Sequence, residues 1–477
     1  MKPWSLLHCW WSTLFLLPLA LGAANNGLVS RDIPSQAYST AMLVKDSSLD
    51  DPSVESFFIP GAKVFDRYFD CPLDYSDVSG SHNITVFARH LVPPGKESEI
   101  KTLPFLIYLQ GGPGFEVALP SSSSGWIKAA FDNGYQVLLL DQRGTGLSTA
   151  ISAESLEFLK TDEAKAAYLT HFRADSIVRD CETIRKKLTA GRPSDSESRV
   201  ALLGQSFGGF CITTYLSLFP ESVEQAFITG GVPPLVDSPE PVYRALYPRV
   251  LKRNKLYYSK FPNDVERVRA IHAYLSNNKV TLPNGGTLSP RRFLQLGIQF
   301  GFSGGYDTVH QLVNYAANDL AQQGKISFKT LSNIQALYDW DTNVIYAILH
   351  EAIYCQGKQS NWAAERVLNE EPFATEFEWR LDHLKPDQAV YFTGEMIYPF
   401  MLDDYVELQP LKNVANLLAE YKGWGQLYDE KVLAKNEVPV AGVSYFDDIY
   451  VDREFSEETA SKIKGFQQYI TNEFGHK

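Results

Sequence analysis

Cysteine is scarce in this 477-residue chain, with five residues in all, and none is spaced as a zinc ligand set. A zinc site is therefore not expected, and no disulfide is predicted. Cys181 and Cys211 fall in helical patterns and read as buried thiols. No stretch is dense in Lys or Arg, and the formal net charge is -12, which argues against a nucleic-acid partner. After the N-terminus no run is long and apolar enough to cross a bilayer. Internal repeats and low-complexity tracts are absent too; "SSSS" at 121–124 is a short polar loop. The remaining composition, 44% hydrophobic and 21% charged, is that of an ordinary globular protein.

Lys2 is followed by "LLHCWWSTLFLLPLALGAA", an apolar run that gives way to small residues. It reads as a secretory signal peptide over residues 1–23, cleaved between about Gly22 and Ala24. Its shortness and Pro18 argue against a stable membrane anchor. Secretion is the expected destination, with retention in a vacuole or cell wall also open. "NIT" at Asn83 is the one N-glycosylation sequon.

Short apolar runs alternate with helical patterns, which predicts an α/β fold: a mainly parallel sheet with helices on both faces. "FLIYLQ" (105–110), "QVLLLD" (136–141), "RVALLG" (199–204) and "QAFITG" (225–230) read as buried strands. "ADSIVRDCETIRKKL" (174–188) carries a helical apolar stripe. Residues 57–75 and 82–92 look like flanking antiparallel strands. From residue 232 to 399 the chain becomes aromatic-rich and helical, so a first core part (24–231) is expected to hold a largely helical cap (232–399) before a second core part (400–477). That last part holds the strand "VPVAGVSYF" (438–446), a helix from about Ser456 and "QQYITNEF".

"LLGQSFGGF" (202–210) places Ser206 between glycines where a strand turns into a helix. This is the pattern of a nucleophile elbow, a sharp turn that lifts the hydroxyl above the sheet edge. A serine hydroxyl needs a base oriented by a third group. In α/β-hydrolases the order is Ser, acid, His. Of nine histidines, only His476 follows the last strand-like segment; His272, His310, His350 and His383 lie in the helical stretch. "DDIYVD" then offers Asp447, Asp448 and Asp452 for the acid, with Asp448 at the strand tip preferred and Asp447 second. "LQGGPG" (109–114) leaves its strand in glycines, so the N–H of Gly111 or Gly112 and that of Phe207 would form the oxyanion hole. This relay requires no metal or organic cofactor.

"LQGGPG", "LLLDQRGTGLS" (138–148) and "GQSFGG" (204–209), in that order, resemble the proline iminopeptidase (prolyl aminopeptidase) family of α/β-hydrolases. "FRADSIVRDCETIR" and "HEAIYC" (350–355) look like its secreted fungal-type branch. Gln110 stands where the family's usual HGGPG has histidine; Asp141 and Arg143 are expected to brace their loop rather than react. The resemblance implies a serine exopeptidase that takes peptides with a free N-terminus and prefers proline. It also implies a carboxylate for the substrate ammonium, for which Glu351 in "HEAIYC" and Glu395 in "FTGEMIYPF" are the candidates. A tripeptidyl aminopeptidase or carboxylesterase on the same fold stays open, as does a non-catalytic binding protein. α/β-hydrolases normally continue past the histidine into a closing helix, whereas here Lys477 follows His476 directly. The base is thus expected on a frayed end, with weakened stability.

Overall fold

The computed structural model describes residues 47–77 and 82–476, so the leader assigned to residues 1–23 lies outside the described residues. Nine strands form one sheet: β1 (Ser56–Ile59), β2 (Ala62–Pro72), β3 (Asn83–Val92), β4 (Phe105–Leu109), β5 (Gln136–Asp141), β6 (Val200–Gln205), β7 (Val223–Thr229), β8 (Val440–Tyr445) and β9 (Phe466–Thr471). Their order is β1-β2-β3-β5-β4-β6-β7-β8-β9. β1 to β3 are antiparallel, β3 meets β5 antiparallel, and every pairing from β5 to β9 is parallel.

The central strands are apolar throughout because both faces are covered. Along β5, Leu138 and Leu140 face a core with the helices Ala174–Leu188 and Phe207–Leu218, while Val137 and Leu139 face Ile127 and Ala130 of the helix Gly125–Asp132. That alternation is the period of two that a strand imposes. On the second face the outer strands are less protected: Phe227 is 36% exposed and Tyr469 60%. The apolar stripe read at 174–188 becomes one helix over those residues, with Ile177, Cys181, Ile184 and Leu188 all buried. Cys71, Cys181, Cys211 and Cys355 are buried and free. Asn83 opens β3 with an exposed side chain.

Between β7 and β8 the chain is helical; among the described residues its one β pairing there is the bridge Thr281–Thr287. Helices continue past residue 399, at Met401–Asp404, Lys412–Glu420 and Glu430–Leu433, so the sheet resumes only at Val440. The short helix Val344–Leu349 lies directly over the glycine loop after β4: a Cβ on Gly114 would sit 2.8 Å from Ile345 Cβ. No described helix is long and apolar enough to cross a membrane.

Candidate active site

Ser206 joins β6 to the helix Phe207–Leu218 with φ 53° and ψ -121°, a conformation that an L-residue adopts only under constraint. The constraint is close backbone packing. Ser206 N donates to Thr229 O at 2.9 Å, and Gly209 N donates to Ser206 O at 2.8 Å. A Cβ on Gly208 would lie 2.0 Å from Leu109 O, so only glycine lets the helix start this near β4. The half-buried serine stands at the positive end of a twelve-residue helix, which favours negative charge at its oxygen.

Asp448 follows β8 and is 3% exposed. Its Oδ1 accepts the backbone N–H of Tyr450 at 2.8 Å and of Val451 at 3.2 Å, and its Oδ2 lies 2.7 Å from His476 Nδ1. Asp447 points elsewhere, 2.8 Å from Lys252 at the surface. Of the sequence alternatives, the fold therefore brings Asp448 to the imidazole. A carboxylate can only accept, so Nδ1 carries the proton and Nε2 keeps its lone pair.

His476 is not frayed. It is 7% exposed, its backbone N–H donates to Gly301 O at 3.1 Å, and its ring packs 4.8 Å from that of Tyr450. It also lies against Gly230, where a Cβ would come within 3.3 Å of the imidazole. Gly230 follows Thr229, whose carbonyl holds the Ser206 backbone, so base and hydroxyl flank one turn. Among the described residues no hydrogen bond closes between them, as is common before substrate arrives. Burial disfavours the imidazolium, but the charge of Asp448, its hydrogen bond and the charge of Glu395 together outweigh burial. The imidazole is thereby held above its ordinary pKa.

The glycine loop meets the serine from the other side. A Cβ on Gly111 would lie 3.0 Å from Ser206 Cβ, and Gly112 follows with φ 122°. Phe207, buried at the helix start, flanks the same point. Gln110 does not need to be histidine: its carbonyl accepts Gln142 Nε2 at 3.0 Å, and its side chain accepts Tyr108 OH at 2.7 Å. Asp141 takes the backbone N–H of Val117 and of Leu147, both at 2.9 Å. Arg143 is buried in a two-pronged pair with Asp180 at 2.6 and 2.7 Å and donates to the carbonyls of Pro72, Leu73 and His171.

The two glutamates differ. Glu351 is buried, and its carboxylate accepts the backbone N–H of Ala363 at 3.0 Å and of Ala364 at 2.8 Å, where a helix begins. Burial pushes its pKa up despite these bonds. Glu395 is equally buried, but its Oε1 has no hydrogen-bond partner. It lies 3.7 Å from His350 Nε2, and its charge reaches His476. Around it stand the phenols of Tyr346, Tyr354 and Tyr450, each pushed up by burial and by the Glu395 charge. Sequence reading placed His350 in the helical stretch and gave it no role. A signal existed: Tyr346, His350 and Tyr354 are spaced i, i+4, i+8, one helical face. Among the described residues no group of three His, Cys, Asp or Glu side chains is placed to hold a metal ion.

Residues 104–322 match the family model described as alpha/beta hydrolase fold. A proline iminopeptidase of Aeromonas sobria is 42% identical over 420 residues, 88% of this chain and 94% of that protein. The proline iminopeptidase aneH of Aspergillus aculeatus is 41% identical over 86% of this chain and 88% of its own length. A tripeptidyl aminopeptidase of Streptomyces coelicolor is more distant, 26% identical over 36% of this chain and 35% of that protein. Similarity of this depth along nearly the whole length, over a sheet and serine turn of this form, means that the chain belongs to the proline iminopeptidase family of α/β-hydrolases.

Proposed function

We propose that this protein is a secreted serine exopeptidase that releases N-terminal proline from peptides. Ser206 Oγ attacks the carbonyl of the first residue while His476 Nε2 takes its proton and Asp448 stabilises the imidazolium. The oxyanion collects N–H bonds from Phe207 and from Gly111 or Gly112. The imidazolium then protonates the leaving amine, and water, deprotonated by the same nitrogen, releases proline from the acyl-enzyme and returns the hydroxyl. Secretion rests on the leader over residues 1–23 and is tested by the N-terminus of protein recovered from culture medium, which should begin near Ala23 or Ala24.

The observation that carries the reading is the Glu395 carboxylate, buried, with Oε1 lacking a hydrogen-bond partner among the described residues and its charge acting on His476. Such a charge is costly without a cation, and the ammonium of a substrate's first residue supplies one. Its place also selects chain length. In a one-residue acyl group the ammonium lies next to the scissile carbonyl, within the reach over which the Glu395 charge acts on the imidazole. In a tripeptidyl group the ammonium would lie two residues further off, about 7 Å.

The test compares proline, alanine and tripeptide arylamides with a neutral acetate ester. Ser206→Ala should abolish turnover of all four. Glu395→Gln should lower kcat/KM for the proline arylamide by about thirty-fold or more, the loss expected when a buried charge pair is broken, and lower ester hydrolysis far less. Equal losses on both substrates would rule out an ammonium-binding role. Preference for the tripeptide arylamide would put the protein with the other aminopeptidases of this fold.

A further inference from the structure

His350 is 1% exposed, and neither of its ring nitrogens has a hydrogen-bond partner. Nor does Glu395 Oε1, 3.7 Å from His350 Nε2, nor the buried hydroxyl of Tyr243, which lies within electrostatic reach of both Glu351 and Glu395. Unmet buried polar atoms each cost about 1–3 kcal/mol. Two such groups facing each other at 3.7 Å mark a place for a ligand that meets both. The gap of 3.7 Å is too long for a bond between the two groups, yet one nitrogen can lie within about 2.9 Å of both.

We propose that His350 is a specificity-determining residue: its Nε2 lone pair and Glu395 Oε1 accept the two N–H bonds of the secondary ammonium of an N-terminal proline. This rests on Glu395 being the ammonium anchor. Proline differs from other residues in having two such N–H bonds rather than three. The site offers two acceptors, since Glu351 is engaged by Ala363 and Ala364. Burial pushes the Tyr243 phenol up, so it stays protonated and adds no charge to the site. The rings of Tyr346, at 4.7 Å, and Tyr354, at 6.3 Å, flank the imidazole and fix its plane.

The full chain is assayed as wild type, His350→Phe, His350→Gln and Glu395→Gln on proline and alanine arylamides and on the neutral ester. His350→Phe should raise KM for the proline arylamide about ten-fold or more and shrink the proline-over-alanine ratio. His350→Gln, which keeps a carbonyl acceptor, should retain much of that ratio. Three equal losses in His350→Phe, or a proline-over-alanine ratio in His350→Gln no better than in His350→Phe, would overturn the assignment. If Glu395→Gln spoils proline selectivity and neither His350 variant does, His350 alone is wrongly assigned. If Glu395→Gln also fails to discriminate proline arylamide from ester, the ammonium reading itself falls.

Discussion

His476 couples the two halves of the site at the scale of a single residue. Asp448 and Glu395 both favour its protonated form, and a protonated imidazole cannot accept the serine proton. With a neutral ester, activity should therefore fall as pH drops through a value above the ordinary imidazole pKa of about 6.5. Glu395→Gln should move that limb to lower pH, which ester pH profiles would show. A substrate ammonium on Glu395 should do the same, so the acid limb of kcat on the proline arylamide should lie below that of kcat/KM. Asp448→Asn should cost about ten-thousand-fold in kcat, because the tautomer is lost. Asp447→Asn breaks a surface contact with Lys252 and should change the rate little; comparable losses in the two variants would refute the choice of acid.

Among elements, the 3-10 segment Gln295–Gly301 decides whether the base is held. Its Gly301 carbonyl takes the His476 backbone N–H, and Ile298 O takes the Tyr450 hydroxyl. A Cβ on Gly301 would come 2.2 Å from Tyr450 Cζ, and Tyr450 packs on the imidazole. Gly301→Ala should thus lower kcat on arylamide and ester alike while thermal unfolding shifts by only a few degrees. A normal kcat would show that the loop can yield. The strand β5 and the helix Ala174–Leu188 were readable to the residue, since continuous apolar runs and 3.6-residue stripes mark buried elements directly. The pin on His476 was not, because its contacts are backbone carbonyls more than a hundred residues away that leave no side-chain pattern.

For the whole molecule, one buried pair ties the edge strands to the central sheet. Arg143, after β5, reaches Asp180 in the helix Ala174–Leu188 and the carbonyls of Pro72, which ends β2, and of Leu73. Arg143→Met would leave Asp180 buried without its cation, its remaining partner there being the Tyr75 hydroxyl at 2.8 Å. About 3–5 kcal/mol of stability should be lost, measurable by urea unfolding. A change below about 1 kcal/mol would mean that this pair does not hold the layers together.

The amino-acid order alone determined the sheet's central strands, the turn at Ser206 and the chain order of hydroxyl, carboxylate and imidazole. Each of these is written in local patterns: apolar runs, glycines beside a serine, and spacing along the chain. Tertiary structure decided the rest. It turned Asp448 inward and Asp447 outward, occupied Glu351 with a helix N-terminus, and among the described residues left Glu395 Oε1 and the His350 ring nitrogens without hydrogen bonds. Adjacent or similar residues cannot be told apart by sequence in this way. Which carboxylate is satisfied and which is not depends on donors that folding brings from distant segments.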